Sequence, residues 1–145
     1  VAQASKVGPP SSDVLKDEGK LSYEVRRILS MDRASAQQLI GDTTTTAYRR
    51  IHEVVTSVLD RIAGTPEPSQ ELLLDLSKAL ILVKYQLARG QISRGLAEHV
   101  ERAINTVFEA FERTPKNWES VRSVARNART YLDSLAVVVY MHSRR

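Results

Sequence analysis

Apolar residues recur at helical spacing over most of this chain, and short polar breaks divide them into segments. The clearest is "DTTTTAYRRIHEVVTSVLDRIAG", where Ile51, Val54, Val55, Val58, Leu59 and Ile62 form one face. Thr44 or Thr45 can cap its start, and Gly64 ends it. "TPEPSQ" breaks the chain, and Ser69 is the natural cap of the next helix, "QELLLDLSKALILVKYQLAR". That segment is apolar around most of its circumference, which predicts the central helix of the fold. "ISRGLAEHVERAINTVFEAFER" presents Leu96, Val100, Ala103, Ile104, Val107 and Phe111 on one face, with Gly95 weakening its first turn. After "TPKNW" a last helix, from about Trp118 to Met141, turns Val121, Val124, Ala128, Leu132, Leu135 and Val139 inward.

Two shorter pieces precede these: "LSYEVRRIL" at 21–29, and "SAQQLIG", which ends at Gly41 as a helix C-cap would. No run alternates with period two, and nothing repeats. The pattern predicts an all-α class, a compact bundle of about five helices. The opening "VAQASKVGPPSSD" is small, polar and broken by Gly8, Pro9 and Pro10. It reads as a flexible tail, giving a division into a tail over 1–20 and a single helical domain over 21–145.

Composition changes this picture only by exclusion. The chain has no cysteine, hence no disulfide, thiolate nucleophile or Cys-based metal site. No stretch approaches the roughly 20 apolar residues of a membrane helix. The N-terminus lacks an export pattern, so a cytoplasmic location is expected. Charge is uneven: residues 1–83 carry 10 Lys/Arg against 11 Asp/Glu, whereas residues 84–145 carry 11 against 6. The surplus in the second half is either a solubilising surface or a patch for a polyanion.

Enzymatic chemistry finds no foothold. "HEVVT" from His52 resembles the start of a zinc-protease helix, but the second histidine is replaced by Thr56. His99 and His142 lie on different helices without ligand partners, and each reads as a surface or half-buried histidine. There is no phosphate-binding glycine loop and no nucleophile elbow. A non-enzyme without cofactor, metal or small-molecule substrate is expected.

The basic residues are more informative. On the helix over 70–89, Glu71, Asp75, Lys78, Gln86 and Arg89 fall in one sector, the expected exposed stripe, and Lys84 stands about 140° from Arg89. Lys84 borders a seam of small residues, Ser77 and Ala88. It can face an interface there, or snorkel to the bundle edge or pair with an acid such as Asp133. On the last helix Arg122, Arg126 and Arg129 share one face. No acid lies three or four residues from Arg126, and an unpaired row of arginines is better tolerated when phosphate neutralises it. Arg49 and Arg50 stand in the first turns of their helix, where the helix dipole also favours an anion. Few aromatics accompany these cations, which suits backbone-tracking rather than base-stacking contacts; Tyr85 and Tyr131 read as core.

Three segments carry a family resemblance: "TTTAYRRI" (44–51), "KYQLARG" (84–90) and "TYLDSLAVVVYMH" (130–142). In order and spacing they resemble the small helical subunit of the type III-A CRISPR effector (Csm) complex. Ala88 stands where that family usually has glycine. The resemblance implies a non-catalytic antiviral role, with several copies stacked along the complex beside the crRNA-bearing subunits. It also implies contacts with target RNA through sugar-phosphate groups, largely without reading sequence. The implied partners are target RNA and the crRNA-containing complex, other Csm subunits and copies of itself, with no membrane and no small molecule. Arg49, Arg50, Lys84, Arg89, Arg122, Arg126 and Arg129 are the candidate phosphate contacts, Arg89 alternatively being a clamp at its helix end. The rival classes are a helical adaptor whose arginines meet an acidic protein, and a helix-turn-helix regulator. The proline-broken link at 65–68 suits the latter poorly.

Overall fold

The computed structural model describes residues 8–113 and 117–143. A 3-10 turn at Ser12–Lys16 is followed by six α-helices: α1 Glu18–Leu29, α2 Arg33–Ile40, α3 Thr45–Gly64, α4 Gln70–Ala88, α5 Arg94–Arg113 and α6 Trp118–His142. No strand occurs among the described residues, and the class is all-α, with six helices where about five were expected.

The helix starts follow from local chemistry. Side-chain oxygens of Asp17, Asp32, Thr44, Ser69 and Asn117 each accept a backbone N–H from the first turn of α1, α2, α3, α4 and α6 respectively. Two ends need glycine. Gly41 closes α2 at φ 56°, and a Cβ there would meet Ser93 Cβ at 3.2 Å. Gly90 follows α4 at φ 73°, and the Gln91 N–H reaches back to the Gln86 carbonyl at 2.9 Å. Thr44→Ala, which removes the α3 cap that binds Ala47 N–H at 3.1 Å, is expected to cost about 1 kcal/mol, measured as a lower urea midpoint at unchanged slope.

The faces expected for α3, α5 and α6 are the faces turned inward. Ile51, Val55, Leu59, Ile62, Leu96, Ala103, Ile104, Val107, Val121, Ala128 and Leu135 are all fully buried in one continuous core, with Val54 and Phe111 packed at its margin. The central helix, however, is α6 and not α4. α6 packs on α3, α5, α1 and α2, whereas α4 packs mainly on α3 and α5. α4 looked central because apolar residues surround it, but Leu74, Ile81 and Tyr85 are 57%, 66% and 56% exposed. Gln86, placed on the exposed stripe by periodicity, is buried.

The tail expected through residue 20 is a second correction. Residues 1–7 lie outside the described residues, but from Ser12 the chain is folded and Leu15 is completely buried. Asn127 Nδ2 donates to the Leu15 carbonyl at 2.9 Å, and Arg102 Nη1 to the Pro10 carbonyl at 2.8 Å. These bonds hold the segment across α5 and α6, and the domain begins before residue 21.

Candidate nucleic-acid interface

The seven candidate cations fall into three groups. Arg122, Arg126 and Arg129 do share the outer face of α6, but the row is not unpaired. Arg122 donates through Nε to the Ala63 carbonyl at 2.8 Å and through Nη1 to Glu119 at 3.0 Å. Arg126 reaches the other Glu119 oxygen at 3.2 Å. Arg129 bonds Asp60 through Nη1 and Asp133 through Nε at 3.1 Å. The bond to Asp60, and then that to Asp133, raises the Arg129 guanidinium pKa above its ordinary value despite partial burial. His52 Nε2 also contacts Asp133, at 3.0 Å. Glu119 lies three residues before Arg122 and Asp133 four after Arg129, at helix-neighbour spacing, whereas Arg126 reaches Glu119 seven residues back and Arg129 reaches Asp60 on another helix.

Arg49, Arg50 and Arg89 form the second group. All three are exposed, and none makes an ion pair or side-chain hydrogen bond among the described residues. Packing of α3 against α4 brings them to one end of the bundle. The Thr44 N–H donates to the Gln91 carbonyl at 3.0 Å, and Arg61 meets Asp75 at 3.2 Å further along, so the two helices run antiparallel. That register sets Arg89 level with the first turn of α3 and Arg50 roughly 4–5 Å further along the axis. Arg89 also caps α4, and its guanidinium lies 5.5 Å from the centroid of the Tyr85 ring.

Lys84 stands alone on the opposite edge of α4. It pairs with Glu101 of α5 at 3.2 Å, not with Asp133, and its side chain stays 61% exposed. Aromatic expectations divide likewise: Tyr131 is fully buried, whereas Tyr85, expected in the core, is exposed. His99 is not at the surface. It is 1% exposed and hydrogen-bonded through Nδ1 to the Tyr131 hydroxyl, whose pKa burial holds well above its ordinary value.

The end of the bundle that carries Arg49, Arg50 and Arg89 also receives the end of α6, where Thr45 and Ser143 hydroxyls meet at 3.0 Å. The three segments "TTTAYRRI", "KYQLARG" and "TYLDSLAVVVYMH", separated in sequence, thus converge there. A small cavity of about 210 Å³ opens between the α2–α3 connection and the end of α6, lined by Gln37, Thr43, Thr44 and His142. A second cleft, about 480 Å³, lies at the far end beside Lys16, Arg113 and Arg126. Sequence reasoning missed Arg61, which lies on the exposed side of α3, because its partner Asp75 is on α4. Among the described residues no group of three His, Asp or Glu could hold a metal, and no helix is long and apolar enough to cross a membrane. The chain matches no protein-family model, no curated protein and no solved structure.

Proposed function

We propose that the chain is a non-catalytic small subunit of a type III-A CRISPR (Csm) effector complex that binds RNA through its sugar-phosphate backbone. In this reading it acts in several copies beside crRNA-bearing subunits, in antiviral defence inside the cytoplasm. One observation carries the proposal. The three segments that resemble the family come together at one end of the bundle, and that end holds three exposed arginines without an acidic partner. Arg49, Arg50 and Arg89 are the primary phosphate contacts. The row Arg122, Arg126 and Arg129 begins about 16 Å further along α3, judged from Arg129 lying at Asp60, eleven residues beyond Arg49. It serves as a second bank, whose surface ion pairs, worth at most about 1 kcal/mol each, can exchange a carboxylate for a phosphate. Lys84, paired to Glu101 on another edge, is assigned to contact with a neighbouring subunit.

The test is the salt dependence of binding to single-stranded RNAs of unrelated sequence. Three phosphate contacts predict a slope of about −2 in log K against log salt, the same for each sequence. A salt-independent affinity, or strong preference for one sequence, overturns the reading. The adaptor reading draws on the exposed apolar residues of α4, and it predicts no RNA affinity in either salt regime.

A further inference from the structure

The exposed face of α4 is apolar along its centre and oppositely charged at its two ends. Leu74, Ile81 and Tyr85 recur at seven- and four-residue steps, so they form one straight stripe over three turns. Leu80, Ser77 and the stem of Lys84 border a shallow open groove beside Ile81 and Tyr85. Glu71 and Arg89 are eighteen residues apart, which is five whole turns of helix. They therefore stand on the same edge of the stripe, about 60° from its centre, one near each end. Both are exposed, and neither makes an ion pair or side-chain hydrogen bond among the described residues.

We infer that this face binds a second copy of the chain, as an antiparallel α4–α4 contact about a two-fold axis near Leu80. The axis brings like edges together with the helix directions reversed, so Glu71 of each copy meets Arg89 of the other. Leu74 comes to lie beside the partner copy's Tyr85, and the two Ile81 side chains flank the axis. A parallel arrangement would instead place the two like edges on opposite sides of the contact, leaving Glu71 and Arg89 of one copy without each other as partners. The self-complementary ends are what select a copy of the same chain over an unrelated partner. Lys78 is the opposing feature: two copies approach near the axis, and their repulsion is screened by salt. This inference does not rest on the RNA reading. Because Arg89 belongs to both surfaces, the test is made without RNA.

Sedimentation velocity on the full chain should show a concentration-dependent monomer–dimer equilibrium. Ile81→Glu should abolish the dimer while leaving the circular dichroism spectrum unchanged, since Ile81 is 66% exposed. Glu71→Arg and Arg89→Glu should each weaken dimerisation about tenfold, because every single change disrupts two symmetry-related pairs. The double variant, carrying both changes in one chain, should regain most of that loss. A chain that remains monomeric at about 1 mM, near the weakest association such an experiment reads, overturns the inference. So does a dimer that survives Ile81→Glu, or a double variant no tighter than the single ones.

Discussion

Leu15→Ala is expected to lower the unfolding free energy by about 3 kcal/mol, within the range for fully buried leucines. Leu15 has no exposed surface and joins the core from a short 3-10 turn, so truncation leaves a cavity that the segment can only partly close. The segment is also tied from outside itself, through Asn127 to the Leu15 carbonyl and through Arg102 to the Pro10 carbonyl. A displaced Leu15 would strand the buried Asn127 amide, which adds the cost of an unpaired polar group, roughly 1–3 kcal/mol. Thermal unfolding should show a fall of about 6–12 °C, given some 2–4 °C per kcal/mol for a chain of this size. A variant that melts with the parent would mean that residues 8–20 behave as the tail their composition suggests.

That contrast shows where the sequence was legible. α3, α5 and α6 have strict apolar periods and polar outer faces, and their buried faces follow from counting. Leu15 has no periodic neighbours and lies between Pro10 and a charged run. Its burial depends on Asn127, more than a hundred residues away, and local pattern does not encode that. α4 failed differently. Apolar residues around a helix signify either full enclosure or an unpartnered stripe, and periodicity counts the residues without saying what covers them. His99 misled for a related reason, since its burial is made tolerable by a hydroxyl on α6.

The candidate interface was readable to a similar extent. Which residues are cationic and which share a helix face follows from the chain, and Arg122, Arg126 and Arg129 do stand together. Their neutralisation follows only in part: Glu119 and Asp133 stand at helix-neighbour spacing from Arg122 and Arg129, whereas Asp60 reaches Arg129 only once α3 lies antiparallel to α6. The juxtaposition of Arg49 and Arg50 with Arg89 likewise requires the α3–α4 register. The charge that matters for a polyanion is what remains after internal pairing, and part of that pairing is tertiary.

Replacing Arg49, Arg50 and Arg89 together by Glu is expected to reduce RNA affinity by about 100-fold or more. Each lost charge-assisted contact at an exposed site costs roughly 1 kcal/mol, and reversal adds repulsion from the phosphates. The fold should be little affected. None of the three makes a side-chain hydrogen bond among the described residues, and the Arg89 contact with Tyr85 is worth only about 0.5–1 kcal/mol. The corresponding reversal of Arg122, Arg126 and Arg129 is a poorer probe. It sets a carboxylate from residue 129 against Asp60 and Asp133 and removes the bond to the Ala63 carbonyl, so it perturbs the α3–α6 packing as well as any RNA contact.

The central claim is that the unpaired arginines where the start of α3 lies beside the end of α4 hold an RNA backbone. Fluorescence anisotropy of a labelled single-stranded RNA, titrated with the parent chain and with the Arg49→Glu, Arg50→Glu, Arg89→Glu variant at one fixed salt concentration, tests it most directly. The account predicts a saturable parent curve and a variant curve displaced by at least about 100-fold, with both proteins equally helical. Superimposed curves would contradict it.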